Sequence, residues 1–226
     1  MAEPIIRARN IRKRYGTLEV LKGIDLDIAP QRVTTIVGPS GAGKTTLLQI
    51  LGTLSAPENG GTVCYGKVDV TALPDKKLSA FRNENIGFVF QFHQLLPEFT
   101  LLENVAMPAL IGGATRKEAF DRAGTLLERL GLTARSGHRP SELSGGECQR
   151  AAVARALVNN PAVVLADEPS GSLDLANRAR LHDLFFELRD TMQASFVIVT
   201  HDESLASNSD VIVRMADGRI SDITYN

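Results

Sequence analysis

One segment limits the possible folds of this chain more than any other. It is Gly38-Pro-Ser-Gly-Ala-Gly43-Lys44-Thr45, which matches G-x-x-x-x-G-K-[ST] at every fixed position. It follows a β-branched run, Val33–Val37, and precedes a predicted helix over 44–54. The glycines allow successive backbone N–H groups to turn towards a phosphate, and the helix start adds the positive end of its dipole. The order of strand, glycine loop and helix predicts a phosphate-binding α/β unit.

The glycine loop contains specific candidates for binding a nucleoside triphosphate. We expect Lys44 to neutralise β- and γ-phosphate oxygens and the hydroxyl of Thr45 to bind Mg²⁺. An ordinary glycine-rich turn is the alternative, but the flanking strand and helix argue against it. The predicted nucleotide-binding segment comprises Gly38, Pro39, Ser40, Gly41, Ala42, Gly43, Lys44, Thr45 and Thr46.

A second apolar run ends in two carboxylates. Ala162-Val-Val-Leu-Ala166 is uninterrupted, as expected for a central parallel strand covered on both faces, and Asp167 and Glu168 follow it directly. Ligands of open α/β sheets bind at the carboxyl ends of the strands. We therefore predict that Asp167 holds Mg²⁺ through water and that Glu168 polarises the attacking water. The alternative is an acidic turn without chemistry.

These two motifs leave GTPases, RecA-like motors and small-molecule kinases open, although no guanine-specific Asn-Lys-x-Asp sequence is present. The discriminating segment is Leu143-Ser-Gly-Gly-Glu147, in which Ser144 and Glu147 have capping-box spacing. That spacing alone predicts a helix through Val158. Each of the two glycines weakens a helix by about 1 kcal/mol, so their presence favours a phosphate close to the helix start. The chain thus has two helix starts suited to a phosphate but only one glycine loop with a lysine. A head-to-tail dimer would use both, because the second helix start of each copy would close over the phosphates bound by the other.

With these motifs together, the chain resembles the ATP-binding subunit of ABC transporters over essentially its whole length. The resemblance implies ATP and Mg²⁺ as cofactors and ATP hydrolysis as the activity. It also implies the homodimer, in which Ser144, Gly145 and Gly146 of one subunit close over the ATP of the other. Cys148 and Ser170 stand where relatives commonly have Arg (or another polar residue) and Thr, and neither departure touches the expected catalytic groups.

Further site residues are implied by the same resemblance. Tyr15 occupies the place of an aromatic residue that stacks on adenine, against the alternative of a packed strand tyrosine. Gln91 matches the glutamine that touches Mg²⁺ and water and senses the membrane subunit, and His201 matches the histidine that contacts the γ-phosphate. Asp174, in Ser172-Leu-Asp174, matches a loop that communicates across the dimer.

The predicted architecture is α/β, with a P-loop NTPase core of the ABC ATPase type. The alternation in Ile24-Asp-Leu-Asp-Ile28 indicates an N-terminal antiparallel β subdomain. Residues 91–158 are predicted to form a helical insert, because Thr100 and Thr115 begin capping-box patterns there. This insert carries the segment Leu143–Glu147, called the signature segment below. The whole chain would then be one ATP-binding domain, with residues 1–90 and 159–226 forming the core.

Composition limits the partners and the location. Lys and Arg number 25 and Asp and Glu number 26, for a net charge of -1, so a strongly basic nucleic-acid binder is excluded and no nucleic acid is expected. Two cysteines are too few for a disulfide scaffold, and a reducing compartment fits. No membrane span or secretory signal is evident. We expect a peripheral protein at the cytoplasmic face of the inner membrane, in contact with the membrane only through integral membrane subunits.

One stretch of the sequence resembles a particular group within the ABC transporter family. Gln91-Phe-His-Gln-Leu-Leu-Pro-Glu-Phe-Thr-Leu-Leu-Glu-Asn-Val-Ala-Met-Pro108 is similar to the lipoprotein-releasing ATPases, and it lies where a membrane subunit would dock. The implied function is release of lipoproteins from the inner membrane towards the outer membrane. Macrolide or peptide efflux ATPases, and cell-division ATPases that act as switches on periplasmic wall hydrolases, share much of this stretch and stay as alternatives.

Overall fold

The computed structural model describes residues 3–58 and 60–226. The strands are β1 (Ile6–Tyr15), β2 (Leu18–Ile28), β3 (Val33–Val37), β4 (Thr62–Tyr65), β5 (Val68–Asp69), β6 (Ile86–Phe90), β7 (Val163–Asp167), β8 (Phe196–Val199), β9 (Val211–Ala216) and β10 (Arg219–Tyr225). The helices are α1 (Lys44–Leu51), α2 (Asp75–Asn85), α3 (Leu101–Ile111), α4 (Arg116–Arg129), α5 (Gly145–Leu157), α6 (Leu175–Met192) and α7 (Glu203–Asn208).

The smaller sheet is antiparallel and has the strand order β2-β1-β4-β5. Ile6 of β1 pairs with Ile28 on one side and with Tyr65 on the other. Along Ile24–Ile28 the three apolar residues are buried and the two aspartates between them are exposed, so the alternation in the sequence marks one covered face. The predicted antiparallel β subdomain is confirmed.

The larger sheet has the order β10-β9-β3-β8-β7-β6. Its strands from β9 to β6 are parallel, and β10 closes one edge as an antiparallel strand. The carboxyl ends of β3, β6, β7 and β8 therefore lie along the same edge. The loops that follow these four strands carry the candidate residues from four separate parts of the sequence.

The core explains why the central strands are apolar throughout. Val163, Leu165, Val197 and Val199 belong to the apolar cluster that includes α1 and the smaller sheet. The intervening residues, Val164, Ala166, Phe196 and Ile198, belong to the cluster that includes α3 to α6. Each face of the larger sheet is thus covered by a different layer. Because both faces are buried, the central strands do not alternate apolar and polar residues.

Local hydrogen bonds start three of the helices as the sequence predicts. The side chains of Thr100, Thr115 and Ser144 each accept a hydrogen bond from the backbone N–H three residues later, and the glutamate there reaches back to the cap. These capping boxes lie within residues 91–158, which contain α3, α4 and α5. The division of the chain into a core and a helical insert stays a prediction.

Some boundaries differ from the predictions. The helix expected over 44–54 ends at Leu51, where Gly52 packs so closely on Phe88 that no side chain would fit, and Thr53 has a positive φ of 59°. Helix α2 was not predicted, because none of its residues is fully buried and it therefore lacks a strong apolar period. The strand expected over 162–166 begins and ends one residue later, at Val163 and Asp167, as is usual for element ends.

Candidate active site

The glycine loop wraps around a buried ammonium group. Lys44 is 9% exposed, and its Nζ donates hydrogen bonds to the carbonyl oxygens of Gly38 at 2.8 Å and Pro39 at 3.1 Å. The N-cap of α1 is Gly43, which has φ 95° and provides no side-chain cap, and the first turn of the helix contains no acidic residue. The N–H groups at this helix start remain available to an anion.

Two glycines of the loop are required by close packing. A Cβ on Gly38 would collide with the carbonyl oxygen of Met215 in β9, and one on Gly43 would lie 2.7 Å from Leu21 Cδ2 in β2. Gly43 also adopts a left-handed conformation that disfavours a side chain. The loop is therefore held between the two sheets in a shape that other residues could not take.

A hydroxyl and a carboxylate from distant parts of the sequence meet beside the loop. Thr45 Oγ1 donates to Asp167 Oδ1 at 3.0 Å. Burial raises the pKa of Asp167, while the hydrogen bond from Thr45 and the charge of Lys44 lower it. Both side chains offer oxygen ligands of the kind that Mg²⁺ prefers, and Mg²⁺ commonly takes one or two protein ligands together with phosphate oxygens and water. The residues present therefore fit a nucleotide-bound Mg²⁺.

Glu168 is held towards the loop that follows β8. Its backbone has a positive φ of 47°, and its N–H donates to Val199 O at 2.9 Å. Its Oε2 lies 2.9 Å from Nδ1 of His201, whose side chain is 71% exposed. The imidazole is exposed and the carboxylate is 21% exposed, so a water molecule can reach the pair.

Gln91 lies next to the loop that follows Glu168. Its backbone oxygen accepts a hydrogen bond from Ser172 Oγ at 3.0 Å, and a Cβ added to Gly171 would lie 3.0 Å from its Nε2. The side chain is exposed. The structure therefore brings Gln91 to the same sheet edge as Lys44, Asp167, Glu168 and His201.

Tyr15 is not packed into the sheet. It pairs with Leu18 at the end of the β1–β2 hairpin and is 50% exposed. The same hairpin lies against Gly43 through Val20 and Leu21. The tyrosine ring is thus on the element that borders the glycine loop, and its stacking on adenine stays a prediction.

The signature residues form a second group. Ser144 and Gly145 are exposed at the start of α5, and Gly146 is buried against Asn177, whose Oδ1 would lie 2.7 Å from an added Cβ. Asn177 in turn donates from Nδ2 to Oδ2 of Asp174, the N-cap of α6, at 2.7 Å. Packing on α6 accounts for Gly146, whereas a Cβ on Gly145 would meet Leu173 at an ordinary 3.7 Å.

The two groups are separate within one chain. Among the described residues, no hydrogen bond joins Ser144, Gly145, Gly146 or Asp174 to the segment 38–46. One chain therefore holds the lysine loop and the signature group as two half-sites, and this arrangement is compatible with a shared site between two copies.

Two residues of α5 hold the loop that follows β6, and the sequence did not single out either of them. Arg155 of α5 donates to the carbonyl oxygens of Gln94 at 2.6 Å and His93 at 2.8 Å, and Gln149 Nε2 donates to Phe90 O at 2.8 Å. These partners lie about sixty residues away along the chain, so no local pattern could have shown them.

Residues 3–58 and 60–226 lack both a metal site made of protein side chains alone and a membrane-spanning helix. They contain no group of three or more His, Cys, Asp or Glu side chains that could hold a metal ion by itself. A helix with the length and apolar character needed to cross a membrane is likewise absent from them.

The fold and the site define a P-loop ATPase. Residues 21–171 match the family model described as ABC transporter, and the chain belongs to this family.

Individual relatives extend the match over nearly the whole chain. The chain is 61% identical to the lipoprotein-releasing system ATP-binding protein LolD of Bacteroides thetaiotaomicron, over 96% of this chain and 99% of the relative. It is 59% identical to LolD of Porphyromonas gingivalis, over 95% and 97% of the two chains. The same comparison with LolD of Bdellovibrio bacteriovorus gives 49%, over 95% and 99%.

Solved structures agree with the fold. The dimeric structure of MJ0796, a bacterial ABC transporter cassette, has a TM-score of 0.88 and 35% identity, with 97% of this chain and 98% of that chain covered. A post-hydrolysis state of the same cassette, dimeric and bound to ADP and Pi, has a TM-score of 0.87 and 34% identity with the same coverage. The predicted fold class and family resemblance are confirmed.

Proposed function

We propose that this chain is the ATP-hydrolysing subunit of an ABC transporter that releases lipoproteins from the inner membrane towards the outer membrane. The observation that carries this proposal is the convergence of Lys44, Asp167, Glu168, Gln91 and His201 at one sheet edge, in a chain 61% identical to LolD. The names of the relatives favour lipoprotein release over drug efflux and cell-division control.

The glycine loop would bind the phosphates of ATP. Lys44 would exchange its hydrogen bonds to Gly38 and Pro39 for phosphate oxygens, since an ammonium group has three donors and lies already desolvated. Backbone N–H groups from Gly41 to Thr46 would complete the cradle. Thr45 and Asp167 would hold Mg²⁺, which supplies charge neutralisation to the phosphates when bound.

Glu168 would accept the proton of the attacking water. The positive φ of Glu168 and its contact with His201 aim the carboxylate at solvent next to the phosphate loop. His201 would hold the γ-phosphate, and Gln91 would orient the water and Mg²⁺ from the opposite side of the site. Tyr15, exposed at the hairpin tip, would stack on the adenine ring.

The complete site would need two copies of the chain. A phosphate could approach the helix start formed by Ser144, Gly145 and Gly146. Leu175, which follows Asp174 in the chain, is 80% exposed, and such exposure is unusual for a leucine. We propose that these residues and Asp174 contact the nucleotide and loops of a second copy.

A groove beside Gln91 would receive the membrane subunits. A cavity of about 470 Å³ lies between α2, α3, α5 and β6, and its lining includes Phe88, Phe90, Ile111 and Arg155. Ile111 in this lining and Phe92, two residues after Phe90 in the chain, are each 71% exposed. An apolar helix of a membrane subunit would cover them and would place this chain at the cytoplasmic face of the inner membrane as a peripheral subunit.

The hydrolytic role is tested with Glu168→Gln, which keeps the size of the side chain and removes the base. We expect phosphate release to fall at least 100-fold, while the affinity for ATP stays within twofold and a dimer accumulates with Mg²⁺ and ATP. Phosphate release, fluorescent-nucleotide titration and size-exclusion chromatography measure the three quantities. Wild-type turnover by the variant would remove Glu168 from this role.

The shared site is best tested at Gly145, because a side chain there would fit within one chain whereas Ser144 also caps α5. Gly145→Arg should abolish hydrolysis and dimer formation and leave the melting temperature of the monomer nearly unchanged. Full activity of a strictly monomeric variant would contradict the shared site.

The cargo is tested in proteoliposomes that contain the copurified membrane subunits and a fluorescent lipoprotein. ATP should release the lipoprotein from the vesicles with the wild-type chain and not with Glu168→Gln. ATP-dependent macrolide export without any lipoprotein release would instead support the efflux alternative.

A further inference from the structure

A buried polar pair joins α6 to the loop behind Glu168. Nε2 of His182 lies 3.1 Å from Oγ of Ser170, and the two residues are 7% and 3% exposed. The neighbouring positions on α6, including Leu181 and Phe185, belong to the apolar core. A polar pair in such a place costs stability unless its hydrogen bond is made, and none of the site chemistry described above uses it.

Ser170 lies in the turn that begins at Glu168. The N–H of Gly171 donates to the carbonyl oxygen of Glu168 at 3.0 Å, so the turn runs from Glu168 to Gly171 with Pro169 and Ser170 inside it. The φ of 47° at Glu168 is a conformation that a residue with a side chain keeps only when its surroundings hold it. The hydrogen bond between Nε2 of His182 and Oγ of Ser170 holds the turn from its buried side.

The same helix also contacts the loop that carries His201. Arg178 lies one turn before His182 on α6, and its Nη1 is 3.5 Å from Oδ2 of Asp202. Asp202 follows His201, whose Nδ1 contacts the carboxylate of Glu168. Helix α6 is therefore connected to both members of the Glu168–His201 pair through two side chains on one face.

We infer that His182 and Ser170 are positioning residues for ATP hydrolysis, whose hydrogen bond fixes the turn that aims the Glu168 carboxylate at the attacking water. This inference rests on the proposed function. Neither residue needs to touch the nucleotide, so binding of ATP should not depend on the pair. Burial lowers the pKa of His182, and the neutral ring keeps one nitrogen as a hydrogen-bond acceptor near pH 7.

The test uses paired substitutions in the complex of the chain with its membrane subunits. Ser170→Ala and His182→Phe each remove the hydrogen bond, and Ser170→Thr and His182→Gln keep groups that can form it. We expect each of the first two to lower kcat about fivefold with KM for ATP within twofold of wild type. The double variant should be no slower than the slower single variant, because both changes remove the same contact.

Two controls separate positioning from general stability. Ser195→Ala removes another buried hydroxyl, which accepts a hydrogen bond from Gln31 N at 2.9 Å at the other end of β8, and it should lower the melting temperature without changing kcat. In a Glu168→Gln background, Ser170→Ala should leave the residual rate unchanged, because the pair acts through the glutamate.

The outcomes distinguish this inference from the proposed function. Hydrolysis absent from the wild-type complex would count against the proposed function itself. An active wild type with kcat unchanged in Ser170→Ala would overturn only the inference. A loss of kcat that Ser170→Thr does not restore, or an equal loss in Ser195→Ala, would also overturn it. A kcat that falls in Ser170→Ala and recovers in Ser170→Thr would support it.

Discussion

Asn104 is the residue whose replacement should most clearly loosen the loop that follows β6. It lies on α3 and is 1% exposed. Its Oδ1 accepts a hydrogen bond from Leu96 N at 2.7 Å, and its Nδ2 donates to the carbonyl oxygens of Leu96 at 3.0 Å and Phe99 at 3.1 Å. One side chain thus holds the loop at three backbone atoms.

The cost of Asn104→Ala follows from these contacts. A hydrogen bond contributes about 0.5–1.5 kcal/mol net, so three set a range of about 1.5–4.5 kcal/mol. Leu96 and Phe99 are 42% and 38% exposed, so water can reach some of the released backbone groups. We therefore expect a loss of about 2 kcal/mol in the free energy of unfolding.

Urea unfolding of the purified chain, followed by circular dichroism, measures this loss. With an m-value of about 3 kcal/mol/M, the midpoint should fall by about 0.7 M. Asn85→Ala is the matched control, because Asn85 Nδ2 donates to Phe81 O at 3.0 Å within α2. Its midpoint should fall by less than half as much. An Asn104→Ala midpoint indistinguishable from wild type would refute the assignment of the three contacts as anchors of the loop.

Three more predictions concern the two half-sites. Lys44→Ala should weaken ATP binding at least tenfold in a fluorescence titration; unaltered affinity would contradict the phosphate cradle. Thr45→Val, which removes the hydroxyl that reaches Asp167, should raise the Mg²⁺ concentration needed for half-maximal hydrolysis, and an unchanged requirement would exclude Thr45 as a ligand. Hydrogen bonds from Ser144 hold the pKa of Glu147 at about 2, below its unfolded value. The stability from this cap is therefore present above about pH 4.3 and is lost as the pH falls towards 2. Glu147→Gln should flatten that part of the curve of melting temperature against pH, and an identical acid limb would contradict the assignment.

Patterns confined to a few neighbouring residues were readable from the sequence. The capping boxes at Thr100, Thr115 and Ser144 join atoms three residues apart, so their spacing is sufficient to predict them. The glycine loop was readable for the same reason, since its strand, turn and helix are consecutive. The exposed helix α2 gave no such signal, because none of its residues is fully buried.

Contacts between distant residues were decided by the tertiary structure alone. Thr45 and Asp167 are 122 residues apart, and they meet because β3 and β7 both flank β8 in one parallel sheet. The contact of Glu168 with His201 and that of Ser170 with His182 depend on where α6 and the loop after β8 pack. The sequence by itself determined which chemical groups the chain would carry and which short elements would present them. The order of strands in the sheet determined which groups face one another, because hydrogen-bonded pairing in a parallel sheet does not follow the order of the chain.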